Sequence, residues 1–168
     1  ELKDVCPACG VPAKAFEPYT SKVSEKREKI LSMHMHPIMV HFPQAFVVLA
    51  LFFDVISLIF KGPLHDIILA GMKINTVFLP LGVLASALLG LYDGKIRFKK
   101  LSTPIMKFKI ALAVVFFVLS VAAAVILLMM PLTLAVTISL IVITFAALII
   151  AVVLGRTGSR LMNAALHG

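Results

Sequence analysis

Four long apolar runs constrain this chain more than anything else in it: Pro37–Phe60, Ile67–Tyr92, Ile110–Met130 and Thr133–Leu154. Each reaches the ~20 residues that an α-helix needs to cross about 30 Å of hydrocarbon. A backbone in lipid must satisfy its own hydrogen bonds, so only helices and closed barrels span a membrane, and continuous apolar runs of this length mean helices. Composition agrees. The chain is 61% hydrophobic, against roughly 45–50% for soluble domains. The runs begin too late and run too long for a secretory signal. The expected class is an all-α membrane protein, a four-helix transmembrane bundle preceded by a small cysteine-containing segment.

The formal net charge of +8 is a topology signal first. Basic residues gather before the first run (Lys3 to Lys29), between the second and third (Lys95 to Lys109) and after the fourth (Arg156, Arg160). The other side carries only Lys61. Positive residues favour the cytoplasmic side, so both termini and the middle loop are expected there, with a bacterial inner membrane as the setting. Basic residues beside spans are accounted for by topology and anionic headgroups, so the lipid bilayer is the expected partner and nucleic acid is not.

The chain divides into a segment at 1–19, a polar connector at 20–36, the membrane domain at 37–155 and a tail at 156–168. In the connector, Ser24 is a candidate N-cap for a run of good helix formers, Glu25 to Lys29. Short links near 61–66 and 131–132 predict two hairpins and an up-down-up-down bundle. Pro80 predicts a kink in the second span. Gly82, Ser86 and Gly90 follow at four-residue spacing. They make a small face of the kind that usually serves helix packing, with a substrate path as the other reading.

The chemistry-bearing stretch is Met33-His34-Met35-His36-Pro37-Ile38-Met39-Val40-His41-Phe42-Pro43, which holds three of the five histidines. Pro37 suits a first helical turn, placing His36 near the N-cap and His41 a turn inside. On one helix these two stand about 140° apart, too far round to grip one ion unaided. Three readings compete. His36, His41 or His34 could ligate haem b, since imidazole is a good axial ligand and a four-helix bundle can hold the group. They could bind a metal ion directly. They could simply cap helices and make interfacial hydrogen bonds. Spans three and four contain no histidine, and His65 falls at the opposite membrane side. A second haem ligand is therefore sought at the same entrance, among Met33, Met35 and Met39, or on another subunit.

Cys6-Pro7-Ala8-Cys9-Gly10 is a tight turn able to offer two thiolates to one metal, with Gly10 freeing the backbone to turn its amides toward the sulfurs. A tetrahedral site needs four ligands, so two must come from outside this chain. Iron there would make an electron carrier and zinc a structural site; a metal-free turn is the plain alternative, and a cytoplasmic location argues against a Cys6–Cys9 disulfide. The run from Cys6 through Lys14 and Phe16 to Glu17 resembles the second metal knuckle of rubredoxins and of rubrerythrin tails. That likeness covers about a tenth of the chain. His36-Pro37-Ile38-Met39-Val40-His41-Phe42-Pro43, with Asp54 and with Gly90-Leu91-Tyr92-Asp93, resembles a family of predicted four-helix bacterial membrane proteins of unknown function. The resemblance implies the architecture and assigns no chemistry.

Asp54 and Lys73 are the acid and the base well inside spans. Counted from Pro63 they fall at similar depth, which predicts a buried ion pair or a cluster with Asn75, or else a proton relay. The functional expectation is a membrane electron-transfer protein joining a cytoplasmic rubredoxin-like site at Cys6 and Cys9 to a redox group at the histidines. Its partner would be a redox protein or a further copy of the chain. The alternatives are a non-enzymatic component with a structural zinc knuckle for docking, and a small transporter using Asp54 and Lys73.

Overall fold

The computed structural model describes residues 4–7, 9–17 and 24–162. The junction of the first two expected segments, the tail beyond residue 162, and Lys3 and Lys22 lie outside the described residues. Six α-helices follow a single 3₁₀ turn at Ala13–Ala15: α1 Glu25–Ser32, α2 Met35–Met39, α3 His41–Ile59, α4 Pro63–Phe98, α5 Pro104–Met129 and α6 Leu134–Met162. Four helical stretches are long and apolar enough to cross a membrane, the first comprising α1 to α3. This is the expected all-helical architecture and is consistent with an integral membrane protein.

Many residues of α5 and α6 are β-branched valines and isoleucines, which are mediocre helix formers in water. In lipid the alternative is an unpaired backbone, and the helix wins. The hydroxyls obey the same demand. Ser57, Ser86, Ser120, Thr137, Ser139 and Thr157 each donate to a carbonyl three or four residues earlier on their own helix, at 2.7–3.1 Å.

The four long helices form a closed ring. α3 packs on α4, α4 on α5, α5 on α6, and α6 returns to α3. Leader helix α1 rests on α4, and α2 packs on α4 and α3. Arg27 of α1 donates to the carbonyl of Ile96 in the last turn of α4 at 2.6 Å. Two apolar clusters fill the ring. Met72, Ala123, Leu127, Val136 and Leu140 make up one; Val47, Leu79, Val83, Phe116, Ala147 and Ala151 make up the other. Outward-facing Val48, Phe52, Ile74, Phe78, Leu81, Val142 and Phe145 are all exposed. A surface that apolar suits lipid rather than water.

Turn chemistry sets the ends. Gly62, at φ 71°, precedes Pro63 at the first position of α4, where proline's missing N–H costs nothing. Ser24 occupies the N-cap of α1 with extended backbone, but its side chain makes no capping bond. α4 continues through Pro80. The entrance departs from expectation. The short helix begins at Met35, so Pro37 is its third residue and His36 lies inside it. His34 precedes it in the left-handed region at φ 50°. Val40, in the right-handed helical region at φ −65° and ψ −19°, joins it to α3, which His41 opens.

Candidate functional site

At the end of the bundle where α3 begins and α4 ends lies a cavity of about 470 Å³, within the usual ~300–1,000 Å³ range of ligand sites. Its depth follows from helix rise. Roughly twenty residues, or about 30 Å, counted from the opposite end of the bundle reach Val83 on α4, Lys109 on α5 and Leu154 on α6. All three line the cavity. It therefore straddles the level where hydrocarbon gives way to headgroups. Val83, Phe116, Phe117, Ala151 and Leu154 wall it, while His36, His41, Gln44, Asp93, Arg97 and Lys109 supply polar groups.

His36 is held by backbone. Its Nδ1 lies 3.1 Å from the carbonyl oxygen of Ser86. A carbonyl only accepts, so Nδ1 carries the hydrogen and the lone pair of the neutral ring is on Nε2. A hydrogen bond of this kind orients imidazole ligands of metals and fixes their tautomer. The ring rests on Gly90, where an added methyl would sit 2.8 Å from Cε1. The small face of α4 thus has two uses. At Gly82 it is helix packing, with Phe46 and Pro43 of α3 in ordinary contact range of an added methyl. At Gly90 it is the seat of a histidine.

His41 also lines the cavity. His36 and His41 belong to successive elements, α2 and α3, joined through Val40, whose backbone stays in the right-handed helical region. His34 is not among the lining residues. It is exposed, and its Nδ1 bonds the carbonyl of Ser32 at 2.6 Å. Met33, Met35 and Met39 do not line the cavity either.

A thioether also lines the cavity, from α5. Met106 is 5% exposed, lines the cavity, and has its Cε where a methyl on Gly94 would be 2.8 Å away. Lys109, on the same face of α5 three residues on, approaches Gly158 of α6, whose added methyl would lie 3.7 Å from Nζ. Gln44 similarly reaches Gly155. Asp93 and Arg97 pair at 3.6 Å. None of these residues stands out in the sequence as a site member. The usable signal was the recurrence of Gly90, Gly94, Gly155 and Gly158 near span ends.

Asp54 and Lys73 are not brought together. Asp54 is 1% exposed, and Thr144 of α6 donates to its Oδ2 at 2.9 Å. The Thr144 hydroxyl lies equally close to the Leu140 carbonyl. Lys73 is exposed on the outside of α4, and no Asp54–Lys73 ion pair exists among the described residues. Equal depth does not fix rotation: Met72, Asn75, Thr76 and Leu79 take the inward face of α4, which turns Lys73 out. Asn75 does not join Asp54 either, since its Nδ2 donates to the carbonyl of Phe46 at 2.9 Å.

Residues around Cys6 and Cys9 form a small closed turn. Val5 and Pro12 make an antiparallel bridge. The Cys6 amide donates to Val11 and the Gly10 amide to Cys6, both at 2.8 Å, with Gly10 at φ 72°. Neither cysteine is in a disulfide. Among the described residues no three His, Cys, Asp or Glu side chains gather as a metal site. A bare ion therefore lacks a full donor set at the cysteines or in the cavity. A porphyrin, which brings four equatorial nitrogens of its own, asks for only one or two protein donors. His36, with His41 and Met106 in the same cavity, fits that demand.

Compared with protein-family profiles, curated proteins and solved structures, the chain matches none.

Proposed function

We propose that this chain is an electron-transfer protein of the bacterial inner membrane with both termini cytoplasmic. It would link a rubredoxin-like metal site at Cys6 and Cys9 to haem b in the cavity at the histidine entrance. The observation that carries the reading is the His36 Nδ1–Ser86 carbonyl bond inside a largely apolar, bundle-end cavity. It leaves Nε2 as the donor and holds the ring before any ligand arrives. When bound, haem supplies a one-electron couple between ferrous and ferric iron. The chain's own residues do the rest. His36 would ligate, His41 or Met106 would offer the second donor, and Val83, Phe116 and Leu154 would limit water. The cysteine turn contributes two thiolates, and a redox partner protein or a second copy of the chain contributes the other two ligands. The HPxxVHFP-containing entrance and the four-span architecture support kinship with the bacterial membrane family it resembles.

The test is optical. Purified protein should show sharp reduced-minus-oxidised haem bands that His36→Ala removes, and a broad visible absorption from cysteine-bound iron that Cys9→Ser removes. A colourless preparation containing zinc would sink the electron-transfer reading and favour a structural knuckle that docks a partner.

A further inference from the structure

The cavity mouth carries one more cation than acid, since Arg97 and Lys109 share the single lining carboxylate, Asp93. Lys109 sits in α5 with its side chain half-buried among the lining residues. Among the described residues it makes no ion pair or hydrogen bond. The one acid lining the cavity, Asp93, is held by Arg97 at 3.6 Å. Asp93 therefore serves two cations, Arg97 and Lys109, and the mouth is left with one surplus positive charge. A half-buried ammonium in such a net-positive mouth gains from an anion delivered beside it. Below Lys109 the wall is apolar, formed by Val83, Phe116, Phe117, Ala151 and Leu154. Gly158 of α6 lies beside the ammonium, an added methyl there falling at ordinary contact distance, 3.7 Å, from Nζ.

We propose that Lys109 is the anchor for the anionic end of the cavity's ligand, and that this ligand is a carboxylate on an apolar body. The position of the cavity fits such a molecule, with the carboxylate at the headgroup level and the apolar part toward the membrane core. The inference deepens the haem reading, since haem b has this chemistry through its propionates, but it depends only on the cavity being a ligand site. An unesterified fatty acid has the same chemistry without iron, so the two sources must be told apart by experiment.

The full chain, in zwitterionic lipid nanodiscs, is titrated with three probes: haem b, its dimethyl ester and a long-chain fatty acid. The expected result is that haem b binds about tenfold more tightly than the ester, because one charge-assisted contact is lost on esterification. Lys109→Gln should erase that preference by weakening haem b and leaving the ester unchanged, and Lys109→Arg should restore it. Thermal unfolding of both variants confirms that they fold. Equal binding of haem b and ester by the parent, or a preference that survives in Lys109→Gln, overturns the anchor while leaving the haem reading intact. Binding of the fatty acid alone, lost in Lys109→Gln and retained in His36→Ala, supports the anchor and removes the haem reading. Failure of all three probes overturns both.

Discussion

The two halves of the bundle use the same kinds of residue to opposite ends. In the half holding Met72, Ala123, Leu127 and Leu140, small and polar residues close space. Asp54 and Thr144 meet across α3 and α6, and Ser57 returns its hydroxyl to the Asp54 carbonyl. In the half above Val83 and Phe116, small residues open it. Gly90, Gly94 and Gly155 admit His36, Met106 and Gln44 in turn, an added methyl lying 2.8–3.0 Å from each. The lesson is that a glycine near a span end deserves a different question from one mid-span. Mid-span, it asks which backbone comes close; near the end, it asks which functional side chain is being let in.

The strongest way to break this contrast is at Gly90. Gly90→Ala puts a methyl 2.8 Å from His36, and the ring must leave its seat. Haem binding should fall by more than about tenfold, equivalent to ~1.4 kcal/mol, whereas Gly82→Ala, with its nearest neighbour at 3.4 Å, should bind normally. Equal binding by the two variants would erase the distinction between seat and packing face. In the closed half, Asp54→Ala should lower stability by about 1–3 kcal/mol, through a lost buried hydrogen bond and the space left behind. Asp54→Asn, which keeps the shape and can still bond Thr144, should cost less; thermal unfolding in detergent separates them. Ser86→Ala should matter little, within ~0.5 kcal/mol. His36 uses the backbone carbonyl of Ser86, and the Ser86 hydroxyl is occupied by Val83. A loss of haem in that variant would show that the hydroxyl, not the main chain, holds the ring. Lys73→Met should cause no destabilisation, since it removes a lipid-facing charge that pairs with nothing inside. A Tm drop comparable to that of Asp54→Ala would revive the ion pair.

The architecture was legible because span length and turn position are one-dimensional signals. The four runs, Pro63 after Gly62 and the Pro131 turn place every membrane helix without knowledge of what faces what. The site was legible only where chemistry was concentrated, at His36 and His41. Asp54 and Lys73 show the limit. Their depth could be counted from Pro63, but their rotation depends on which residues of α4 the other three helices claim. Met106 and Lys109 were obscured for another reason. A methionine in an apolar run is ordinary, and a lysine beside a span serves topology equally well, so neither stands out until the cavity between the helices is seen. His36 and His41, about 140° apart on a helix, looked incompatible with gripping one ion, yet lining one cavity does not require them to share a face.

The bond from Arg27 to the Ile96 carbonyl has a consequence for local opening. Ile96 lies among the last carbonyls of α4, which no later helical amide can reach, so the guanidinium of the leader helix serves as its cap. Lifting α1 away uncaps the turn that also presents Asp93 and Arg97 to the cavity. The leader and the cavity mouth therefore fray together, and amide hydrogen exchange in α1 and in the last turn of α4 should rise as one unit.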